Sequence, residues 1–125
     1  GIVSPGFTPT LADYCKKQNV PCYPGVCTPS EVQMAMEAGI TTLKFFPALL
    51  SGGVKMLSLF RELYPQTQFM PTGGVNIDNI KEFLALENVL CCGGTWLAPA
   101  QLMQEGKWEE IDKRIKDAVA HVSGA

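Results

Sequence analysis

The feature that most constrains this chain is its rhythm. Short apolar runs stand at 2–4, 22–24, 42–46, 68–71 and 89–92. Each run after the first begins roughly twenty residues after the one before, the length of one strand-plus-helix unit. Helical signals fill the gaps. Thr28-Pro29-Ser30-Glu31 has the form of a capping box, with Thr28 as N-cap, Pro29 at the first helical position and Glu31 three residues after the cap. Val32, Ala35 and Met36 then supply an apolar face, and Gly39 is placed to end the helix. Thr8-Pro9 repeats the cap-plus-proline signal ahead of Leu11, Ala12 and Cys15, and Asn76 is placed to cap a helix carrying Ile80, Phe83 and Leu84. The last segment is the most periodic: Trp108, Ile111, Ile115, Ala118, Val119 and Val122 fall on one face, with Glu109 and Glu110 in the first turn.

Strands alternating with helices imply a parallel sheet, either doubly wound or closed as a barrel. The strands are very short and the unusual residues cluster at their C-terminal ends, which favours a barrel, where active sites lie at that face. The expected class is therefore α/β: a (β/α)8 TIM barrel, of which residues 1–125 form the C-terminal part of a single domain with about five βα units. A whole barrel takes ~250 residues, or somewhat over 200 in compact forms, so about three units are expected ahead of Gly1.

The totals bound the function. Hydrophobic residues make up 46% of the 125 and charged residues 18%, the balance of a folded chain with one core. A net charge of -2 with dispersed Lys and Arg gives no electrostatic case for nucleic acid or an anionic membrane. No apolar stretch approaches the ~20 residues of a membrane span. Gly1-Ile2-Val3-Ser4-Pro5-Gly6 lacks the basic region and apolar core of a signal peptide, and opens as a chain cut at a strand would. The five cysteines are odd in number and form no C-x-x-C pair, so buried, reduced thiols in a cytoplasmic protein are expected rather than a disulfide framework or zinc site. Adjacent Cys91 and Cys92 should point to opposite faces of their run. The single histidine, His121, reads as a solvated side chain near a helix end, which leaves no metal site and no Ser/His/Asp triad. Met34, Met36, Met56, Met70 and Met103 read as core filler.

Against this background Lys44 stands out. It lies inside Thr42-Leu43-Lys44-Phe45-Phe46-Pro47, and strand alternation puts it on one face with Phe46 while Leu43 and Phe45 take the other. A run apolar on both faces suggests a strand covered on both sides. An ammonium held there loses hydration, desolvation lowers its pKa, and a partly neutral lysine is a Schiff-base nucleophile. The plain alternative is a lysine near a strand end whose head reaches water.

Glycine turns follow the later strands. Pro71-Thr72-Gly73-Gly74 follows the fourth run and Gly93-Gly94-Thr95 the fifth. Glycine lets backbone N–H groups approach an anion closely, and two such turns one βα unit apart suit the phosphate site that barrels build after their last two strands. A short helix near 99–104 would add the positive end of its dipole. Gly52-Gly53 reads either as a third anion nest or as a plain turn into a helix.

Leu43-Lys44-Phe45-Phe46-Pro47-Ala48, Gly52-Gly53-Val54-Lys55, Pro71-Thr72-Gly73-Gly74 and Gly93-Gly94-Thr95-Trp96-Leu97 together resemble the 2-keto-3-deoxy-6-phosphogluconate (KDPG) and 4-hydroxy-2-oxoglutarate (KHG) aldolase family. Ser4-Pro5-Gly6 and Tyr23-Pro24-Gly25-Val26 also fit its pattern, so the resemblance runs through essentially the whole chain. It implies a metal-independent class I aldolase, without a cofactor, that reversibly splits a 2-keto-4-hydroxy acid into pyruvate and an aldehyde. By this match Lys44 forms the Schiff base with the C2 ketone, Phe46 packs against the pyruvyl part, Thr72 hydrogen-bonds near the carboxylate and Pro24 borders the pocket. Backbone N–H groups of Gly73, Gly74 and Gly94, with the Thr95 hydroxyl, would hold the distal phosphate. Two positions depart from the pattern: Thr95 stands where the family often has Ser, and Leu49 where it often has Glu. The family's glutamate acid/base and carboxylate-binding arginine have no counterpart here, since Glu31, Glu37 and Glu62 fall on helices. An N-terminal half is therefore an expected partner, along with homo-oligomerisation as a trimer. The competing readings are a phosphate-binding half-barrel without catalysis and a different Schiff-base lyase on the same scaffold.

Overall fold

The computed structural model describes residues 1–124. Strands and helices alternate through most of the chain. Ile2–Val3 (β1) leads to Pro9–Lys17 (α1), then Cys22–Tyr23 (β2), Gly25–Val26 (β3) and Pro29–Glu37 (α2). Thr42–Phe45 (β4), Gly53–Leu63 (α3), Gln68–Pro71 (β5) and Ile80–Leu84 (α4) follow, and Ala100–Gln104 (α5) and Trp108–Val122 (α6) end the order.

The local signals account for the helix starts. Thr8 accepts the Leu11 N–H at 3.3 Å. Thr28 accepts the Glu31 N–H while the Glu31 carboxylate takes the N–H groups of Thr28 and Cys27, which completes the capping box. Gly39 follows the last turn of α2 at φ +79°, a conformation that glycine adopts without Cβ strain. Asn76 caps a turn rather than the helix itself: its side chain accepts from Asp78 and Asn79, and α4 begins only at Ile80.

All strand pairs are parallel. β1 pairs with β2, and β3 pairs with β4, which pairs with β5. Pro24 separates β2 from β3 because it has no N–H to give a ladder; its carbonyl still accepts the Lys44 N–H at 2.9 Å. Spatial order thus follows sequence order, as in a sheet wound in one direction. The expected strand at 89–92 is reduced to isolated parallel bridges, Phe69 to Val89 and Thr72 to Gly93. The two bridges are one residue out of register with each other, four steps from Val89 to Gly93 against three from Phe69 to Thr72, and the extra residue breaks the ladder.

The core lies between sheet and helices. Leu43, Phe45 and Phe69 from the strands meet Val32, Ala35, Leu57, Phe60 and Phe83 from α2, α3 and α4. Phe60 stacks on Phe69 at 5.5 Å between ring centroids and meets Phe45 edge-on at 6.0 Å. The opposite face of β4 is only half covered: Leu43 and Phe45 are fully buried, Lys44 and Phe46 half-buried. The expectation of a strand covered on both sides therefore holds for one side among the described residues.

The last helix forms where expected, and of its apolar stripe Ile111 and Ala118 are buried while Trp108, Ile115, Val119 and Val122 are exposed. Two further expectations need correction. Met34 and Met103 are exposed, so methionine is not uniformly core filler. All five cysteines are free, but only Cys15 is buried; Cys91 is exposed and the others lie between. Among the described residues no helix is long and apolar enough to cross a membrane.

Candidate active site

The C-terminal ends of β4 and β5 are locked together beyond their strands. Thr72 donates its N–H to the Phe45 carbonyl, and its own carbonyl accepts from Ala48 at 2.8 Å. The Gly73 carbonyl accepts from Leu49 at 3.0 Å. The Thr72–Gly93 bridge adds the next segment, with Gly93 donating to the Pro71 carbonyl at 3.0 Å. Phe46, the turn at 72–74 and the turn at 93–95 are thereby brought side by side.

Between them opens a cleft of about 530 Å³. Phe46, Thr72, Gly73, Gly74, Gly94 and Thr95 all line it. Gly73 and Gly74 adopt φ values of +100° and +77°, which side-chain-bearing residues rarely do. A Cβ on Gly73 would stand 3.1 Å from the Pro47 Cα, and one on Gly94 would overlap the indole ring of Trp96. The N–H groups of Gly73, Gly74, Gly94 and Thr95 meet no acceptor among the described residues. Such a lining of free N–H groups and a hydroxyl is suited to an anion.

Lys44 lies next to this cleft rather than in its wall. Its ammonium sits 4.6 Å from the centroid of the Phe46 ring, a cation–π distance, and Phe46 itself lines the cleft. The register of β3 on β4 pairs Gly25 with Lys44, so both point to the half-open face. Gly25 has no side chain there, and the Pro5-Gly6 backbone occupies the space a Cβ would need. Pro24 is fully buried and, like Lys44, is not among the residues that line this cleft; its carbonyl accepts the Lys44 N–H.

Gly52-Gly53 is a plain turn. Gly53 opens α3 and its N–H is taken by the Ala48 carbonyl at 2.9 Å, so no third anion nest is formed. Val75, Asn76 and Trp96 also line the cleft, as do Pro99 and Ala100 at the start of the short helix expected near 99–104. Asn79 is an omission: its carboxamide ties Gly74 to Asn76. The visible signal was the Asn-x-x-Asn spacing directly after the glycines, a turn-forming pattern. Arg114 on α6 donates to the Trp96 carbonyl at 3.0 Å and steadies the second turn.

Comparison with known proteins gives a consistent result. The family model described as KDPG and KHG aldolase matches residues 1–114. A 2-dehydro-3-deoxy-phosphogluconate aldolase of Haemophilus influenzae is 41% identical over 94% of this chain and 56% of its own length. The KHG/KDPG aldolase of Escherichia coli K12 is 40% identical over 94% of this chain and 55% of its own. A crystal structure of KDPG aldolase from Legionella pneumophila, with pyruvate captured as a covalent carbinolamine intermediate, superposes with a TM-score of 0.86 at 38% identity. That match covers 90% of this chain and 54% of the other. The chain spans about half the length of the curated relatives it matches.

Proposed function

The chain belongs to the KDPG and KHG aldolase family, and from that premise we propose that it forms part of a class I aldolase with Lys44 as its Schiff-base lysine. The reaction is reversible cleavage of 2-keto-3-deoxy-6-phosphogluconate to pyruvate and glyceraldehyde 3-phosphate, of 4-hydroxy-2-oxoglutarate to pyruvate and glyoxylate, or both. The Lys44 amine adds to the C2 ketone and water leaves. The C4 hydroxyl gives its proton to the acid/base glutamate expected from the remaining part of the barrel, the protonated imine takes up the electron pair of the breaking C3–C4 bond and the aldehyde leaves. The enamine is then protonated at C3, and water hydrolyses the imine to pyruvate and free Lys44, with no metal required.

The observation that carries this reading is the placement of Lys44 over the ring of Phe46, a residue that lines one cleft with the two glycine turns. The keto-acid end then belongs with Lys44, Phe46 and Thr72. The phosphate belongs with the N–H groups of Gly73, Gly74 and Gly94 and the Thr95 hydroxyl. Pro24 borders the keto-acid pocket, and its carbonyl accepts the N–H of Lys44.

The same reading makes residues 1–125 the C-terminal part of one (β/α)8 barrel. Matching spatial and sequence order of the parallel strands supports it, as do Ile2, Val3 and Leu90, exposed apolar residues at the two outer edges. The family's acid/base glutamate and carboxylate-binding arginine would come from the remaining part, without which turnover would fall by ~10²–10⁴-fold. A cytoplasmic homotrimer completes the proposal, with exposed Leu49 and Leu50 as candidate contacts between subunits.

The test is borohydride reduction in the presence of pyruvate on the intact protein, read by peptide mass spectrometry. The expected result is a reduced pyruvate adduct on Lys44, absent from Lys44→Met. No adduct would sink the Schiff-base assignment and leave a phosphate-binding module as the better account.

A further inference from the structure

We propose that Asn79, which lies outside the cleft, is the positioning residue that fixes the first glycine turn in its anion-binding shape. The inference rests on the reading of that turn as a phosphate site. It follows from where three successive carbonyls go. In a trans peptide the C=O and N–H point in opposite directions. The Thr72 carbonyl is taken by Ala48, so the Gly73 N–H is turned away from that loop. The Gly73 carbonyl is taken by Leu49, which turns the Gly74 N–H likewise. The Gly74 carbonyl is taken by the Asn79 side chain at 2.9 Å, which turns the Val75 N–H. None of these three N–H groups meets an acceptor among the described residues, and all three residues line the cleft.

Two of the three locks are backbone to backbone. The third is a single side chain. The Asn79 Oδ1 also accepts the Asn76 N–H at 2.8 Å, so one carboxamide spans both ends of the stretch from Gly74 to Asn76. Its orientation is fixed by its partners, because flipping the amide would set donor against donor and acceptor against acceptor. Asn76 returns the contact by accepting the Asp78 and Asn79 N–H groups at 2.9 and 3.3 Å. The lock matters because Gly73 and Gly74 have left-handed φ and no side chain to restrict them. Glycine loses more conformational freedom on ordering than any other residue. A turn left free would have to be ordered by its ligand, at the expense of affinity.

The experiment compares wild type, Asn79→Ala and Asn79→Asp in the intact protein. Affinity for inorganic phosphate is measured by titration calorimetry, and Lys44 reactivity by borohydride trapping with pyruvate, which has no phosphate to bind. Asn79→Ala should weaken phosphate binding on the order of tenfold and leave the pyruvate adduct within about twofold. Asn79→Asp keeps the acceptor for Asn76 and loses the donor to Gly74, so it tests the lock if the alanine variant does not fold. Its phosphate affinity should still fall when salt screens the added charge. Unchanged phosphate affinity in a variant that merely melts earlier would reduce Asn79 to a structural cap and overturn the proposal. So would a parallel loss of the pyruvate adduct. A wild type that binds no phosphate removes the turn's assignment and this inference with it. A wild type that binds phosphate but forms no adduct strikes only the Schiff-base reading and leaves Asn79 in its role.

Discussion

Gly94→Ala tests the geometry of the cleft most directly. The added methyl would overlap the six-membered ring of Trp96 and stand 2.8 Å from the Val75 carbonyl oxygen. Non-bonded heavy atoms pack at roughly 3.5 Å or more, so the methyl lacks roughly 0.7 Å of room against Val75 alone. The indole can swing away. The Val75 carbonyl cannot yield without moving the turn that carries Gly73 and Gly74. The substitution should therefore push the two glycine turns apart rather than unfold the protein. Overpacking of this kind costs about 1–3 kcal/mol. A misplacement approaching 1 Å in a site built from converging groups can cost on the order of 10²-fold in function. The assay is inorganic phosphate binding by calorimetry beside urea unfolding, with Gly6→Ala as control, since a Cβ at Gly6 meets nothing within 4 Å. Wild-type phosphate affinity and stability in Gly94→Ala would refute the contact of Gly94 with Trp96 and Val75, and the steric argument with it.

Three other outcomes follow from the packing. Burial alone would raise the Glu31 pKa, but the N–H groups of Cys27 and Thr28 hydrogen-bond the carboxylate and bring it below its ordinary value. The unfolded state then takes up the proton first, so this stabilisation is complete above pH ~4.5 and is lost as pH falls through the lower folded value. Glu31→Gln should cost about 1 kcal/mol near pH 7 and flatten that acid limb, as read from thermal melts between pH 3 and 7. Burial, with Cys91 alongside, pushes the Cys92 thiol up to about 12, so iodoacetamide at about pH 8 should label exposed Cys91 well before Cys92; equal labelling counts against the burial of Cys92. Phe60→Ala removes the ring stacked between Phe45 and Phe69 and should cost about 3–5 kcal/mol in urea unfolding, whereas a loss below about 1 kcal/mol would contradict the packing of that aromatic cluster.

What could be read from the sequence was what local chemistry decides. The Thr8 and Thr28 caps, the end of α2 at Gly39 and the alternation of Leu43 and Phe45 against Lys44 and Phe46 depend on neighbours a few residues away. Phe46, Thr72, Gly73, Gly74, Gly94 and Thr95 could be grouped because the residues after consecutive parallel strands gather at one end of a sheet. What failed depends on contacts distant in sequence. The run at 89–92 is apolar enough for a strand, yet a one-residue shift in its register against β5 leaves only isolated bridges. Periodicity identified the apolar stripe of α6, but a stripe says only which face is apolar, not what covers it. Asn79 was missed because its importance lies in the Gly74 carbonyl it holds five residues upstream, a contact that ordinary turn chemistry does not single out.

In the proposed reading the two ends of the substrate fall to parts of the fold with different mechanical support. Lys44 sits in the middle of a strand paired on both sides, with Phe45 beneath it in the aromatic core, so its position is set by cooperative packing. The phosphate end falls to turns whose glycines carry no packing of their own and are held by individual hydrogen bonds from Leu49, Asn79 and Arg114. Imine chemistry should therefore tolerate changes that shift the turns, and phosphate recognition should be lost first. The Phe46 ring touches both regions, with the Lys44 ammonium over it and Gly73 against its edge. A substrate with no phosphate needs the strand and Thr72; one with a phosphate needs the glycine turns as well. Selection between glyoxylate-yielding and phosphoaldehyde-yielding substrates then resides in the turns, and the residues that set it are those that hold the glycines rather than the glycines themselves.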